Sequence, residues 1–209
     1  MTTTTTCDQL IRRGGWAEEA LQPRCAFPIG PRNTWSNAAY IVVALILLAT
    51  LGTAPQTVVM AAALTALGLG SGLYHGFKTI WANRLDHVGM YMVFGALSVY
   101  GIMGRHAAAP ALMVVTGVLL AGLFTYTGIK ASLDIQMGVL FYFTMLPAFV
   151  FGDPKVAGAA LALFLLGFGA WQLDKRRSPL IGLWGHALWH ILTAPAIGLM
   201  YVALYEGGR

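Results

Sequence analysis

The chain has 209 residues, 57% of them apolar and only 10% charged, with a mean hydropathy of +0.68. Soluble domains carry about 25% charged residues, so this composition excludes an ordinary soluble enzyme and points to an integral membrane protein. The net charge of +5 is small and lies at membrane flanks, so no nucleic-acid partner is expected.

The N-terminal segment, residues 1–33, opens with Thr2 to Thr6, a low-complexity run expected to be disordered. The first apolar stretch begins after residue 33, and no signal peptide is expected. Cys7 and Cys25 both precede that stretch. Two cysteines can pair in an oxidising compartment, but free thiols are favoured here by the orientation argued below.

From residue 34 to 209 the sequence predicts an all-α, seven-helix transmembrane domain. The expected spans are 34–53, 56–77, 84–104, 109–129, 133–152, 155–174 and 181–205. Each is long enough to cross a hydrocarbon core of about 30 Å at about 1.5 Å per residue. Gly52-Thr53-Ala54-Pro55, Gly152-Asp153-Pro154 and Lys175-Arg176-Arg177-Ser178-Pro179 separate spans as breaker or charged linkers. Frequent glycine and alanine within the spans suit a tightly packed bundle and leave the oligomeric state open.

Ten Lys and Arg residues fall on the N-terminal side of this topology: Arg12, Arg13, Arg24, Arg32, Lys78, Arg84, Lys130, Lys175, Arg176 and Arg177. Three, Arg105, Lys155 and Arg209, fall on the other side. The positive-inside rule therefore puts the N-terminus, with both cysteines, in the cytoplasm.

Five polar residues interrupt the apolar segments: Ser71 and His75, Asp86, and His186 with His190. An ionisable group at membrane depth costs roughly 2.5 to 3.5 kcal/mol on insertion scales and marks a functional-site hypothesis. In the predicted topology all five lie near the cytoplasmic face: the end of span 2, the first turn of span 3, and the start of span 7. Ser71 and His75 are four apart, as are His186 and His190, so each pair shares a helix face. Three imidazoles with one position open are the donor set of a catalytic zinc, although imidazole also suits copper, iron and nickel.

Plainer readings stand beside this one. An HxxxH pair in a span also suits haem. Ser71 alone fits a bond back to its own helix, and Asp86 alone fits a cap on span 3. His106, in the loop after span 3, reads as an interfacial residue. His87 follows Asp86 directly and is expected to point away from it.

At these residues the chain resembles the alkaline ceramidases. Gly70-Ser71-Gly72-Leu73-Tyr74-His75 with Asp86 downstream is similar to their GS-x-x-[FY]-H…D element. His186-Ala187-Leu188-Trp189-His190-Ile191-Leu192-Thr193 is similar to their last-helix HAxWHxLT element. Asn33-Thr34-Trp35-Ser36-Asn37 resembles their NTxSN motif, and Trp171-Gln172-Leu173-Asp174 a WxxD motif ending the sixth helix. The superfamily also includes adiponectin receptors and lipid-remodelling proteins of the GPI-anchor pathway.

The resemblance implies a seven-helix bundle in which His75, His186 and His190 bind Zn2+, with Ser71 and Asp86 beside it as catalytic groups. It implies a hydrolase that cleaves the amide of ceramide or a related N-acyl lipid. The chain departs from the family in having His87 where a glutamate commonly follows the helix-3 aspartate. The stretch before the NTxSN motif, Phe27 to Arg32, contains no acid, and Glu18 and Glu19 lie farther upstream. No calcium dependence is expected. Short loops suggest a prokaryotic relative, and so a bacterial inner membrane; a eukaryotic source would suggest endoplasmic reticulum or Golgi. The main rival reading is a receptor or scaffold with a structural zinc; a transporter is disfavoured by the absence of repeats.

Overall fold

The computed structural model describes residues 16–21, 27–126, 142 and 144–207. The threonine run, Cys7 and Cys25 lie outside the described residues, as does half of the fifth expected span. A 3-10 turn, Glu19–Leu21, precedes α1 (Pro31–Ser36), α2 (Ala38–Leu51), α3 (Pro55–Phe77), α4 (Ile80–Met103) and α5 (Ala109–Tyr126). These are followed by α6, described over 144–151, α7 (Pro154–Lys175) and α8 (Gly185–Gly207).

The described residues form an all-α protein. Five helical segments are long and apolar enough to cross a membrane: Pro31–Leu51, Pro55–Phe77, Ile80–Met103, Pro154–Lys175 and Gly185–Gly207. In hydrocarbon every backbone polar group needs an internal partner, which a helix supplies within itself. Proline begins α1, α3 and α7, where its missing N–H has no intrahelical partner to lose. Asp153 caps α7 by accepting from the Lys155 and Val156 amides at 2.7 and 3.3 Å.

Consecutive helices pack as neighbours: α2 on α3, α3 on α4, α4 on α5, and α7 on α8. The last helix then closes against α1, α2 and α4. Tyr40, Met60, Leu64, Leu97, Tyr100, Met200 and Tyr201 are buried between them. Two hydroxyl pairs satisfy polar atoms in this core, Tyr40–Thr193 at 2.7 Å and Thr57–Tyr201 at 3.1 Å. Outward-facing side chains are apolar as well: Leu45, Ile46, Val118, Leu119, Leu165 and Leu166 are all more than half exposed. Such a circumference suits lipid and not water.

Glycine decides how α3 and α4 meet. A Cβ at Gly70 would stand 2.6 Å from the Leu85 carbonyl oxygen, and one at Gly89 would stand 2.5 Å from the Leu67 Cα. The two helices therefore touch backbone to backbone, as small residues allow in membrane bundles.

The third expected span starts too late. It was placed at residue 84, but α4 begins at Ile80, after Lys78 ends α3 in a left-handed conformation with φ 53° and ψ 34°. Asp86 accordingly sits in the second turn of α4, too deep to cap it. Asn83 falls between the expected spans but belongs to the first turn of α4, and Arg84, the first residue of the expected third span, already lies one turn in.

Candidate metal centre

One end of the bundle gathers the start of α1, the end of α3, the start of α4, the end of α7 and the start of α8. The chain before α1 is tied there. Ile29 and Gly30 donate their amides to the Gly76 and His75 carbonyls at 3.1 and 3.0 Å, satisfying the last carbonyls of α3. Farther upstream, Glu18 accepts from the Arg32 and Asn33 amides at 2.9 and 3.0 Å, which fixes the start of α1.

Within that end, His75 from α3 and His186 and His190 from α8 are all buried, and a nitrogen from each lies within 4.8 Å of the other two. The Nε2 atoms of His75 and His186 are 3.0 Å apart. Two nitrogens bound tetrahedrally at about 2.0–2.1 Å from one ion lie about 3.3 Å apart, so the spacing fits a shared metal.

The outer ring nitrogens say which atoms face inward. Nδ1 of His190 lies 2.8 Å from the Ser36 hydroxyl, and that hydroxyl donates to the Asn33 carbonyl at 3.1 Å. With its proton so committed, Ser36 accepts from His190, leaving Nε2 as the free nitrogen. His75 Nδ1 lies 2.7 Å from Glu19 Oε1, which leaves its Nε2 free likewise. His186 is held by stacking: the Trp16 ring covers it at 3.7 Å and 20°. Carboxylate or hydroxyl partners on the far nitrogen are what metal-ligating histidines ordinarily have. The three imidazoles can therefore hold a metal ion.

Ser71 is buried and donates a hydrogen bond to the Asp86 carboxylate. The contact between Gly70 and Leu85 brings the two residues into reach. Ser71, Asp86 and the three histidines line one cavity of about 360 Å3. Its other walls are chiefly apolar and aromatic, including Leu67, Met90, Phe94, Phe164, Phe168 and Trp189. All five residues singled out in the sequence thus come together.

Two other histidines separate. His106 is exposed in the loop between α4 and α5 and accepts from the Ala108 amide at 3.2 Å. His87 does not turn away from the site; it lines the same cavity as Asp86. Neighbours on a helix diverge by about 100°, but this wall is broad enough to receive Asn83, Asp86, His87 and Met90 together.

Trp16, Glu19, Ser36 and Asp174 were not anticipated as parts of the centre. Asp174 accepts from the Ala17 amide at 3.3 Å and from the His186 backbone, joining the N-terminal segment to the first turn of α8. Motif positions had flagged Ser36 and Asp174 without giving either a role. The Trp16-Ala17-Glu18-Glu19 run had been weighed only for calcium. Burial pushes the Glu19 carboxyl up, to about 7, against the pull of the Lys78 ammonium beside it. Burial lowers Lys78 in turn, with Glu19 opposing the shift.

No protein-family model matches this chain, and no curated protein matches it in sequence.

Proposed function

We propose that this protein is a zinc-dependent hydrolase of membrane lipids, cleaving the N-acyl bond of ceramide or a related N-acyl lipid to a fatty acid and an amine. The observation that carries the reading is the shared cavity. Three inward-facing imidazoles and a hydrogen-bonded Ser71–Asp86 pair sit on the wall of an apolar chamber within the helix bundle. A site of this polarity and placement suits a two-chain lipid whose scissile amide lies near the membrane surface.

When bound, zinc on three histidines supplies Lewis acidity and brings a water's pKa to about 7. Asp86 accepts the attacking water's proton and delivers it to the leaving nitrogen as the carbon–nitrogen bond breaks and the new carbon–oxygen bond persists. Once Asp86 carries the water's proton it no longer needs the Ser71 hydroxyl as a donor, and Ser71 turns to donate to the oxygen that gains negative charge. Orientation of His75 or His190 by Asp86 is the weaker reading, because Glu19 and Ser36 already occupy their outer nitrogens. Aromatic walls from α7 and α8 exclude water and receive the acyl chain.

The same proposal places seven spans across the membrane with the N-terminus cytoplasmic. Among the described residues, Arg32, Lys78, Arg84, Lys175, Arg176 and Arg177 belong to the metal end of the bundle, against Arg105 and Lys155 at the other. A bacterial inner membrane is the location we favour.

The test is fatty acid release from a panel of N-acyl and O-acyl lipids, followed by mass spectrometry on the purified protein in detergent. Release from an N-acyl lipid by the wild type and not by His190→Ala is expected. Bound zinc at one per chain with no release from any lipid would instead favour a structural zinc in a receptor-like scaffold.

A further inference from the structure

Glu19 accepts a hydrogen bond from the Asn33 side chain and makes two further contacts at the edge of the metal centre. Oε1 lies 2.7 Å from Nδ1 of His75, and Oε2 lies 2.7 Å from Nζ of Lys78. None of the three side chains is more than 7% exposed. Replacing a buried ion pair with apolar residues is often neutral or stabilising, so burial of this one is not explained by stability. Lys78 is unusual on a second count. It ends α3 in the left-handed region, φ 53°, where glycine is the ordinary occupant. Its ammonium also lies over the Tyr74 ring, 3.8 Å from the centroid. A costly charge pair and a strained cap are thus retained at the point where the N-terminal segment meets a histidine that can hold a metal.

We propose that Glu19 is a positioning residue of the metal centre: it holds His75 with the proton on Nδ1, turning the Nε2 lone pair toward the ion, while Lys78 anchors the carboxylate. The inference rests on the metal reading of the three histidines and is independent of the lipid reaction. It also gives the segment before the first span a chemical task. Trp16, three residues upstream, stacks on His186, so the segment touches ligands from both α3 and α8.

The neighbouring carboxylate supplies the control. Glu18 is as buried as Glu19, yet it serves only the start of α1 and Arg32. Zinc affinity is measured by chelator competition on the full-length protein in detergent, with the thermal midpoint of the metal-free form alongside. In Glu19→Ala the dissociation constant is expected to rise about 10- to 100-fold, the range for removing an outer partner of a ligating histidine. Glu18→Gln is expected to leave it unchanged.

Because Glu19→Ala strands Lys78 as a buried charge, a second variant replaces both partners, Glu19→Leu with Lys78→Met. This variant is expected to keep the metal-free thermal midpoint and still lose zinc affinity. Wild-type affinity in either Glu19 variant overturns the proposal. So does an equal loss in Glu18→Gln, which would mark the segment as packing alone. A wild-type protein that binds no zinc refutes the metal reading itself.

Discussion

Asp86 and Ser71 differ from His75 and His190 in facing each other instead of an outer partner, and this separates their expected phenotypes. Asp86→Asn keeps the shape and an acceptor for the Ser71 hydroxyl but cannot take a proton. Turnover is expected to fall by at least about 100-fold while zinc stays at one per chain, measured by fatty acid release and metal analysis on the same sample. Ser71→Ala is expected to cost about 100- to 1,000-fold in turnover, as loss of an oxyanion donor does, again with metal retained. An Asp86→Asn protein with wild-type turnover would remove it from the proton path. The five residues were legible in the sequence because each is polar in apolar surroundings, and because four-residue spacing and helix polarity put them at one end. Glu19 was not, since its partner lies 56 positions away and its own segment has no period to read. Ser36 stood in a recognisable motif, but only the three-dimensional fold shows that its proton goes to Asn33 and its lone pair to His190.

At the scale of helices, the contact between α3 and α4 sets the distance between Ser71 and Asp86. Gly70→Val would drive a side chain into the Leu85 carbonyl. Overpacking of this kind costs typically 1–3 kcal/mol, and here it also parts the pair. A lower thermal midpoint and a loss of turnover larger than the loss of stability explains are expected. Gly158→Ala in α7, where an added Cβ meets nothing within 4 Å, is expected to raise the midpoint or leave it unchanged. Similar effects from the two substitutions would mean that the α3–α4 contact is not close. Helix existence was readable from hydropathy, but the start of α4 was not. Lys78 falls between the expected spans and Arg84 begins the third, whereas Lys78 closes α3 and Arg84 already lies one turn inside α4.

For the molecule as a whole, the centre joins α3 and α8, which elsewhere meet through buried apolar side chains and the Thr57–Tyr201 hydroxyl pair. Metal bound only by the folded state stabilises it by mass action, about 2.7 kcal/mol at a free concentration 100 times the dissociation constant. Chelation is therefore expected to lower the thermal midpoint and readdition to restore it; a midpoint indifferent to chelator would argue against the site. His75→Ala should abolish the difference between the two conditions.

The Ala17–Asp174 and Ser36–His190 contacts link positions 157 and 154 residues apart. During synthesis the Ala17 contact must wait for α7, and the Ser36 and Trp16 contacts for α8. A nascent chain halted at residue 180 has made α3 and α4 but owns only one of the three imidazoles, and Glu19 meets its histidine without Trp16 having a ring to cover. Metal uptake thus reports the synthesis of α8: a chain ending at residue 180 is expected to take up no zinc, and one ending at residue 207 to take up one equivalent.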